Sequence, residues 1–334
     1  MGVNWGLAQT GTMLRDDRSP QFIDTVALQN ADAIAELQRS LSQPRASVAP
    51  KYFYDKLGSA LFTAICELPE YYPTRTEAAI IQTYLDQIAA LVPTNATLID
   101  LGAGDCVKAA RLFNALLPNQ YVAIDISSDF VRGTLTALAK QYPAIDMLGL
   151  GMDFSSQLKL PSAVREQRRV FFYPGSSIGN FSPAEAGRFL CQVRRSMNSD
   201  GGLLIGVDLI KSAAILEPAY DDALGVTGSF NLNVLNNVNR LLGADFRVAD
   251  WRHLALFNAE LSRIEMHLAA QRDLTVHWAG GAVSFKAGQR IHTENSYKYA
   301  PESFSQLLAE ASFETAGFWT DAQGWFGVYY ATPK

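Results

Sequence analysis

The run Thr97-Leu-Ile-Asp-Leu-Gly-Ala-Gly-Asp105, followed by Tyr121-Val-Ala-Ile-Asp125, constrains this chain more than any other segment. An apolar strand ends in a Gly-x-Gly turn, a helical segment follows, and a second apolar strand ends in a carboxylate. That succession is the first half of a nucleotide-binding α/β unit. Glycines let a ligand reach bare backbone amides, and an acid at the tip of the second strand suits a ribose diol. A dinucleotide fingerprint would need a third glycine where this chain has Val107. Its absence counts against a nicotinamide dinucleotide and favours S-adenosylmethionine (SAM).

At 334 residues the chain is long enough for two domains or one elaborated domain. A net charge of -5, with no basic tract to offset it, argues against nucleic acid as an obligatory partner. The cysteines Cys66, Cys106 and Cys191 are odd in number and lack metal-ligand spacing, which reads as buried thiols in a reducing compartment. No basic start followed by an apolar core opens the chain, and no apolar run reaches membrane length. The expectation is a soluble cytoplasmic protein with no membrane partner.

Residues 1–20 are polar and read as a mobile N-terminus. Apolar positions recur at helical spacing from Ile23 to Leu41 and again from Ser59 to Leu68. Thr74-Arg-Thr-Glu77 reads as a capping box opening a helix through Leu91. Strands are expected at 97–102, 121–126, 145–151, 169–174 and 202–209, with helices at 107–117, 128–141 and 183–198. The alternation predicts a parallel sheet with helices on both faces. From Lys211 the pattern changes. A helical, Asn-rich stretch precedes alternating segments at 251–257, 263–270, 273–285 and 289–299, as in an antiparallel sheet. A last helix at 302–311 leads to strands 313–319 and 325–332 with Gly324 in their turn. The fold expected is α/β: a Rossmann-like core of the class I SAM-dependent methyltransferase type, ending in a β-hairpin and carrying an inserted α+β substrate-binding domain. The core takes residues 75–210 plus 300–334, and the substrate-binding domain 21–74 plus 211–299.

Several side chains fit a ligand in this frame. Lys108 opens the helix after the glycine turn, where it pairs with the carboxylate of SAM's methionine portion or is simply solvated. Asp125 suits the ribose. Asp153 and Phe154 follow the third strand, where an acid and a ring suit an adenine or form an ordinary turn. Asn180 lies in Pro174-Gly-Ser-Ser-Ile-Gly-Asn-Phe181 beyond the fourth strand. Ligands in open α/β sheets bind beyond the carboxyl ends of the strands, and an amide there can serve an amino acid's ammonium and carboxylate. The aromatic sets Tyr52-Phe-Tyr54 and Tyr71-Tyr72 fit core packing or a site. In Arg290-Ile-His-Thr-Glu-Asn-Ser-Tyr297 a period of two puts His292, Glu294 and Ser296 on one face. That face is either exposed and polar or a reader of the two nitrogens of an imidazole. None of the four histidines forms a metal pair and no serine sits in a nucleophile elbow, so metal and acyl-enzyme chemistry are not expected.

Five motifs, in order along the chain, resemble one family: Pro50-Lys-Tyr-Phe-Tyr-Asp-Lys-Leu-Gly-Ser59, Leu68-Pro-Glu-Tyr-Tyr-Pro-Thr-Arg-Thr-Glu77, Gly175-Ser-Ser-Ile-Gly-Asn180, Ala219-Tyr-Asp-Asp222 and Thr293-Glu-Asn-Ser296. The family is the L-histidine Nα-methyltransferases of ergothioneine biosynthesis, and the likeness runs from about residue 30 to the C-terminus. It implies a SAM-dependent enzyme that methylates the α-amino group of histidine three times, giving hercynine. By position, Gly102, Lys108, Asp125, Asp153 and Phe154 match SAM-binding residues. Tyr71, Asn180 and Tyr220 match residues holding the substrate's carboxylate and amine. Tyr54 matches a tyrosine near the reacting amine, where Tyr54 or a water would take the amine proton. Glu294 and Ser296 match imidazole readers, and Met266 a side-chain pocket residue. Asn295 and Tyr297 depart from the pattern around the readers, which leaves a sister enzyme for another amino acid, such as tryptophan, as the nearest alternative. A nicotinamide-dependent oxidoreductase and a non-catalytic binding module stand further off. The partner expected is a small amino acid, and with no heptad or long exposed edge the chain reads as a monomer.

Overall fold

In the computed structural model, which describes residues 19–24 and 30–334, strand and helix alternate into one eight-stranded sheet. Its strands are β1 (Gln21–Asp24), β2 (Thr97–Leu101), β3 (Gln120–Asp125), β4 (Asp146–Gly151), β5 (Arg169–Tyr173) and β6 (Gly202–Asp208). After an insertion holding β7 (Trp251–Asn258), β8 (Arg263–Ala270), β9 (Leu274–Trp278), β10 (Gly281–Phe285) and β11 (Arg290–Tyr297), the sheet ends with β12 (Phe313–Thr320) and β13 (Phe326–Pro333). The order is β1-β4-β3-β2-β5-β6-β13-β12, parallel except where β13 pairs with β6 and β12. Counted from β2, the doubly wound order 3-2-1-4-5 is kept until the terminal hairpin enters. The order reverses between β2 and β5, so the ligand crevice of such a sheet lies beyond their carboxyl ends.

The apolar strand runs are continuous because both faces are covered. Ile99, Val122, Phe171 and Leu203 pack into one cluster with Phe189 and Phe304, while Leu98, Tyr121, Val170 and Leu204 pack into another with Ile88 and Phe113. The covering helices are α3 (Tyr72–Thr83), α4 (Leu85–Leu91), α5 (Val107–Ala110), α6 (Phe113–Leu116), α7 (Ser128–Gln141), α8 (Pro183–Arg195) and the late α11 (Pro301–Glu310). A third cluster joins Leu37, Phe53 and Tyr72 to Phe230, Leu235, Trp251, Leu268 and Ile291. It packs α1 (Asn30–Leu41), α2 (Lys56–Cys66) and α10 (Val226–Leu242) against the antiparallel sheet β11-β8-β7, with the short α9 (Ala213–Leu216) beside them.

Five local expectations change, the first being that the helix expected through Leu91 breaks at Tyr84 into α3 and α4. Ile23 and Asp24, at the start of the expected helical stretch, belong instead to β1, which extends the large sheet beside β4. The other half of that helical stretch is α1, and residues 1–18 of the expected mobile N-terminus lie outside the described residues. Thr74 and Glu77 form no capping box, because Pro73 sets the start of α3 a turn earlier with Tyr71 at its N-cap; a proline favours the first helical positions. The helix expected at 107–117 divides into α5 and α6, where the Leu112 amide donates three residues back to Ala109. The segment 273–285 is a hairpin, β9 and β10, rather than one strand. Ser182 and Glu185 do form the reciprocal cap expected for α8.

Candidate active site

The glycine turn after β2 is shaped from two sides. Gly102 has φ +75 and Gly104 φ +53, values that side chains rarely adopt. Asp125, at the tip of β3, accepts the Gly104 amide at 2.9 Å and the Ser127 amide at 2.8 Å. Burial raises the Asp125 pKa, and those amides oppose the rise. A Cβ built on Gly102 would meet only the Phe154 ring, at 3.9 Å, and one on Gly104 would meet nothing within 4 Å. The turn therefore has open space above a backbone whose Gly102 and Ala103 amides donate to the Ile124 carbonyl. Asp153 lies beside Phe154, accepts the Ser155 amide at 3.0 Å and pairs with Lys51 at 3.1 Å. Burial works to raise the Asp153 pKa, but Ser155 and Lys51 outweigh it and hold it below its ordinary value. Lys51 also pairs with Glu36 of α1 at 2.8 Å. Asp100 of β2 is buried, accepts from the Tyr121 hydroxyl at 2.8 Å, and has its other oxygen without a partner among the described residues. Burial pushes it up to about 7.

Lys108 is held rather than solvated. Its ammonium donates to Glu77 Oε2 at 2.7 Å, and Glu77 Oε1 accepts the Gly175 amide at 2.8 Å. Glu77, buried on α3, thereby ties together α5 and the loop after β5. It needs room under β6: a Cβ on Gly206 would fall 1.9 Å from Glu77 Oε1. In the same loop Ser176 holds a left-handed backbone at φ 58 and its hydroxyl accepts the Asp208 amide at 2.8 Å. Asn180 ends the 3-10 turn Ser177–Asn180 and lines a cavity of about 220 Å³ with Val48, Pro50, His292, Thr293 and Asn295.

Tyr54 follows the 3-10 turn Pro50–Phe53 and is fixed by its neighbours' backbone and side chains. Phe53 stacks on Phe230 of α10 at 4.6 Å. The asparagines that made α10 look unusual in sequence clamp this segment. Asn237 donates to the Tyr52 carbonyl at 2.7 Å and Asn233 to Asp55 at 2.8 Å, while the Ser127 hydroxyl donates to the Tyr54 carbonyl at 2.6 Å. Ser127 follows Asp125, so the Tyr54 backbone is bonded to the loop that shapes the glycine turn. The rings continue as a chain: Tyr54 to Phe62 at 5.7 Å, Phe62 to Tyr71 at 6.2 Å, and Tyr71 to Tyr220 at 6.2 Å. Burial holds the Tyr54 hydroxyl far above its ordinary pKa, with the charges of Glu294 and Asp125 adding to it. Burial and Tyr220 do the same to Tyr71.

The polar end of this aromatic wall comes from β11. The Tyr220 hydroxyl lies 2.7 Å from Ser296 Oγ, and the Lys298 ammonium donates to Tyr220 at 2.9 Å and to Ser296 at 2.7 Å. Met266 of β8 stands opposite Glu294, and its carbonyl accepts from Thr293 Oγ1 at 3.0 Å. Burial pushes Glu294 up to about 8, with Lys298 acting the other way. His292 does not share this face. The register shifts between His292 and Glu294, a β-bulge that puts two residues opposite one. His292 instead donates from Nε2 to Asn295 Oδ1 at 2.9 Å and stacks edge-on with His267.

Sequence reasoning missed Glu77, Lys51, Asp100 and Lys298. Glu77 was read only as a cap partner. Asp100 sat in view within the β2 motif, as an acid inside an apolar strand. Lys298 and its buried partner Asp208, 2.7 Å apart, come from distant strands, and no local spacing reveals them.

An open glycine turn, an acid at the next strand tip, an acid and ring after the third strand, and an appended antiparallel hairpin define a SAM-dependent methyltransferase. The family described as histidine-specific, SAM-dependent methyltransferases matches residues 33–333, and the chain belongs to it. It is 39% identical over 322 residues to the histidine N-alpha-methyltransferase of Mycolicibacterium smegmatis, covering 92% of this chain and 99% of that one. The histidine N-alpha-methyltransferase of Mycobacterium tuberculosis is 37% identical over 303 residues, 89% of this chain and 93% of that one. The ergothioneine biosynthesis protein 1 of Neurospora crassa is 32% identical over 276 residues, which are 80% of this chain and 31% of that longer protein.

Proposed function

We propose that the protein transfers methyl groups from SAM to the α-amino group of L-histidine, three in succession, giving the betaine hercynine for ergothioneine biosynthesis. The observation that carries this reading is the buried wall in which Glu294 and Ser296 of β11, with Met266 opposite Glu294, close the aromatic chain of Tyr54, Tyr71 and Tyr220. Glu294 and Ser296 read the two ring nitrogens, and Met266 packs beside the ring. Tyr71, Tyr220 and Asn180 hold the amino acid's carboxylate and amine.

SAM, when bound, supplies a methyl group on a positively charged sulfur. Gly102, Asp125, Asp153 and Phe154 would hold it, with Lys108 reaching it from beside Glu77. Transfer needs a neutral amine in line with that methyl, and such positioning contributes about 7 kcal/mol or more. Tyr54 orients the amine lone pair. Its buried hydroxyl stays neutral, so the amine proton passes to water and not to a phenolate. The rings of Tyr54 and Tyr71 favour the increasingly methylated cation by about 0.5–2 kcal/mol each.

The division into a core (75–210 plus 300–334) and a substrate part (21–74 plus 211–299) belongs to the same reading. The separate apolar cluster of residues 37–72 and 216–291 supports it, except that β1 sides with the core. We also place the protein in the cytoplasm as a monomer acting on a small molecule without nucleic acid. No described helix is long and apolar enough to cross a membrane, and Cys66, Cys106 and Cys191 are free thiols. Mass spectrometry of the standard amino acids incubated with protein and SAM tests the central claim. Histidine gaining three methyl groups is the expected result; methylation of another amino acid instead would overturn it.

A further inference from the structure

Lys298, just beyond β11, has a fully buried side chain and three hydrogen-bond partners: Asp208 Oδ2 at 2.7 Å, the Tyr220 hydroxyl at 2.9 Å and Ser296 Oγ at 2.7 Å. An ammonium has three protons and accepts nothing, so all its capacity is used and both hydroxyls are acceptors toward it. Lys298 is the leading charge partner of Asp208, but that pairing uses only one of its three protons. Lys211 already sits 2.6 Å from that carboxylate, and the Tyr72 hydroxyl lies 2.8 and 2.7 Å from its two oxygens. One buried carboxylate thus has two ammonium groups, and the second reaches on to the substrate wall.

The count of protons then fixes a direction. Tyr220 and Ser296 hold two hydroxyl protons, and one of them lies in the 2.7 Å contact between the two oxygens. A phenol is the stronger donor and the weaker acceptor of such a pair, because its ring withdraws the oxygen lone pair. Tyr220 therefore donates to Ser296. Ser296 Oγ accepts from Tyr220 and from Lys298, which fills both lone pairs. Its own proton is the hydrogen of this group left to face the pocket.

We propose that Lys298 is a specificity-determining positioning residue that makes Ser296 an obligate hydrogen-bond donor toward the substrate ring. The inference rests on the histidine reading above. With an ionised Glu294 as acceptor on the same face, the wall offers one donor and one acceptor, so the specificity comparison is made above about pH 8. A neutral ring with one bare nitrogen and one N–H completes both. A ring with an N–H and no bare nitrogen leaves the Ser296 proton unmatched in a buried place.

The test compares kcat/KM for L-histidine and for 3-(pyrrol-2-yl)alanine, whose ring keeps an N–H and lacks the bare nitrogen. The wild-type protein should favour histidine by roughly ten- to a hundredfold, the usual penalty of an unmatched buried donor. Lys298→Met keeps the stem length and removes every donor, freeing Ser296 to accept as well. Its preference should fall at least about tenfold, with S-adenosylhomocysteine affinity within about twofold of wild type. A preference unchanged in a variant that still binds S-adenosylhomocysteine would overturn the inference and leave the histidine reading standing. If Lys298→Met does not bind it, the double variant Asp208→Asn/Lys298→Met, which removes the buried ion pair together and leaves no donor from position 298 to Ser296, carries the same comparison and decides by the same ratio. A wild-type protein that leaves histidine unmethylated overturns the histidine reading, and the inference with it.

Discussion

Glu294 stands directly opposite Met266 in the β8/β11 register, so that a carboxyl and a thioether are adjacent parts of one buried wall. Water cannot stabilise the ionised acid there, and that is why its pKa lies near 8. The residue proposed to read the substrate ring is thereby also a pH-dependent element of the fold.

The sign follows from proton counting. In the unfolded chain a glutamate titrates near about 4.3, and in the folded protein Glu294 titrates near 8. Between those values the folded state binds more protons, so this residue makes stability fall as pH rises through the window. Glu294→Gln removes the effect. The melting temperature of the ligand-free variant, relative to wild type, should climb between about pH 5 and about pH 8. A difference that stays flat over that range would refute the buried titration.

Tyr54 is predicted to divide binding from turnover. Tyr54→Phe keeps the ring chain to Phe62 and Phe230 and removes only the hydroxyl. We expect kcat to drop by about ten- to a hundredfold. The affinity for S-adenosylhomocysteine, measured by calorimetry, should stay within about twofold, because the backbone bond from Ser127 survives. Unchanged turnover would remove Tyr54 from the reaction.

Asp125 has two duties at once, shaping the glycine turn and facing the crevice. Asp125→Ala takes the acceptor from two amides, Gly104 and Ser127. S-adenosylhomocysteine binding should weaken by about tenfold or more, since a hydrogen bond to a charged group contributes roughly 1.5–3 kcal/mol. Calorimetric affinity equal to wild type would count against the ribose assignment.

Glu77 is predicted to matter for stability. Glu77→Ala leaves the Gly175 amide and the Lys108 ammonium without their acceptor. The loss should be about 1–3 kcal/mol in denaturant unfolding, and Glu77→Gln, which keeps an acceptor for the Gly175 amide, should lose less. Equal losses in the two variants would mean that the cost is packing alone.

The glycine turn, Asp125, the parallel strands and the terminal hairpin were legible because each depends on residues close in sequence. A strand buried on both faces must be apolar throughout, and the turn after it needs glycine; both leave local marks. The face of β11 was read half correctly. Period two put Glu294 and Ser296 together, but a bulge costs one residue of register and turned His292 to Asn295. Nothing in the string Arg290-Ile-His-Thr announces a bulge. The Thr74/Glu77 pattern misled for a related reason: a capping box is a local motif, and here Pro73 had already set the helix start while Glu77 turned inward to partners far along the chain. Lys298, Lys211, Tyr72 and Asp208 form one ion cluster; Lys211 is three residues from Asp208, but Tyr72 and Lys298 come from far along the chain and meet it only once the sheet is assembled.

Gly206 lies so close under the Glu77 carboxylate that even a methyl group there would overlap it, at 1.9 Å. In a mutational walk, then, neither position changes freely. A side chain at 206 expels the carboxylate, and loss of the carboxylate releases Lys108 and the Gly175 loop before any new side chain can take up the space. The two sites are epistatic by geometry, which shelters this corner beside the glycine turn from stepwise drift.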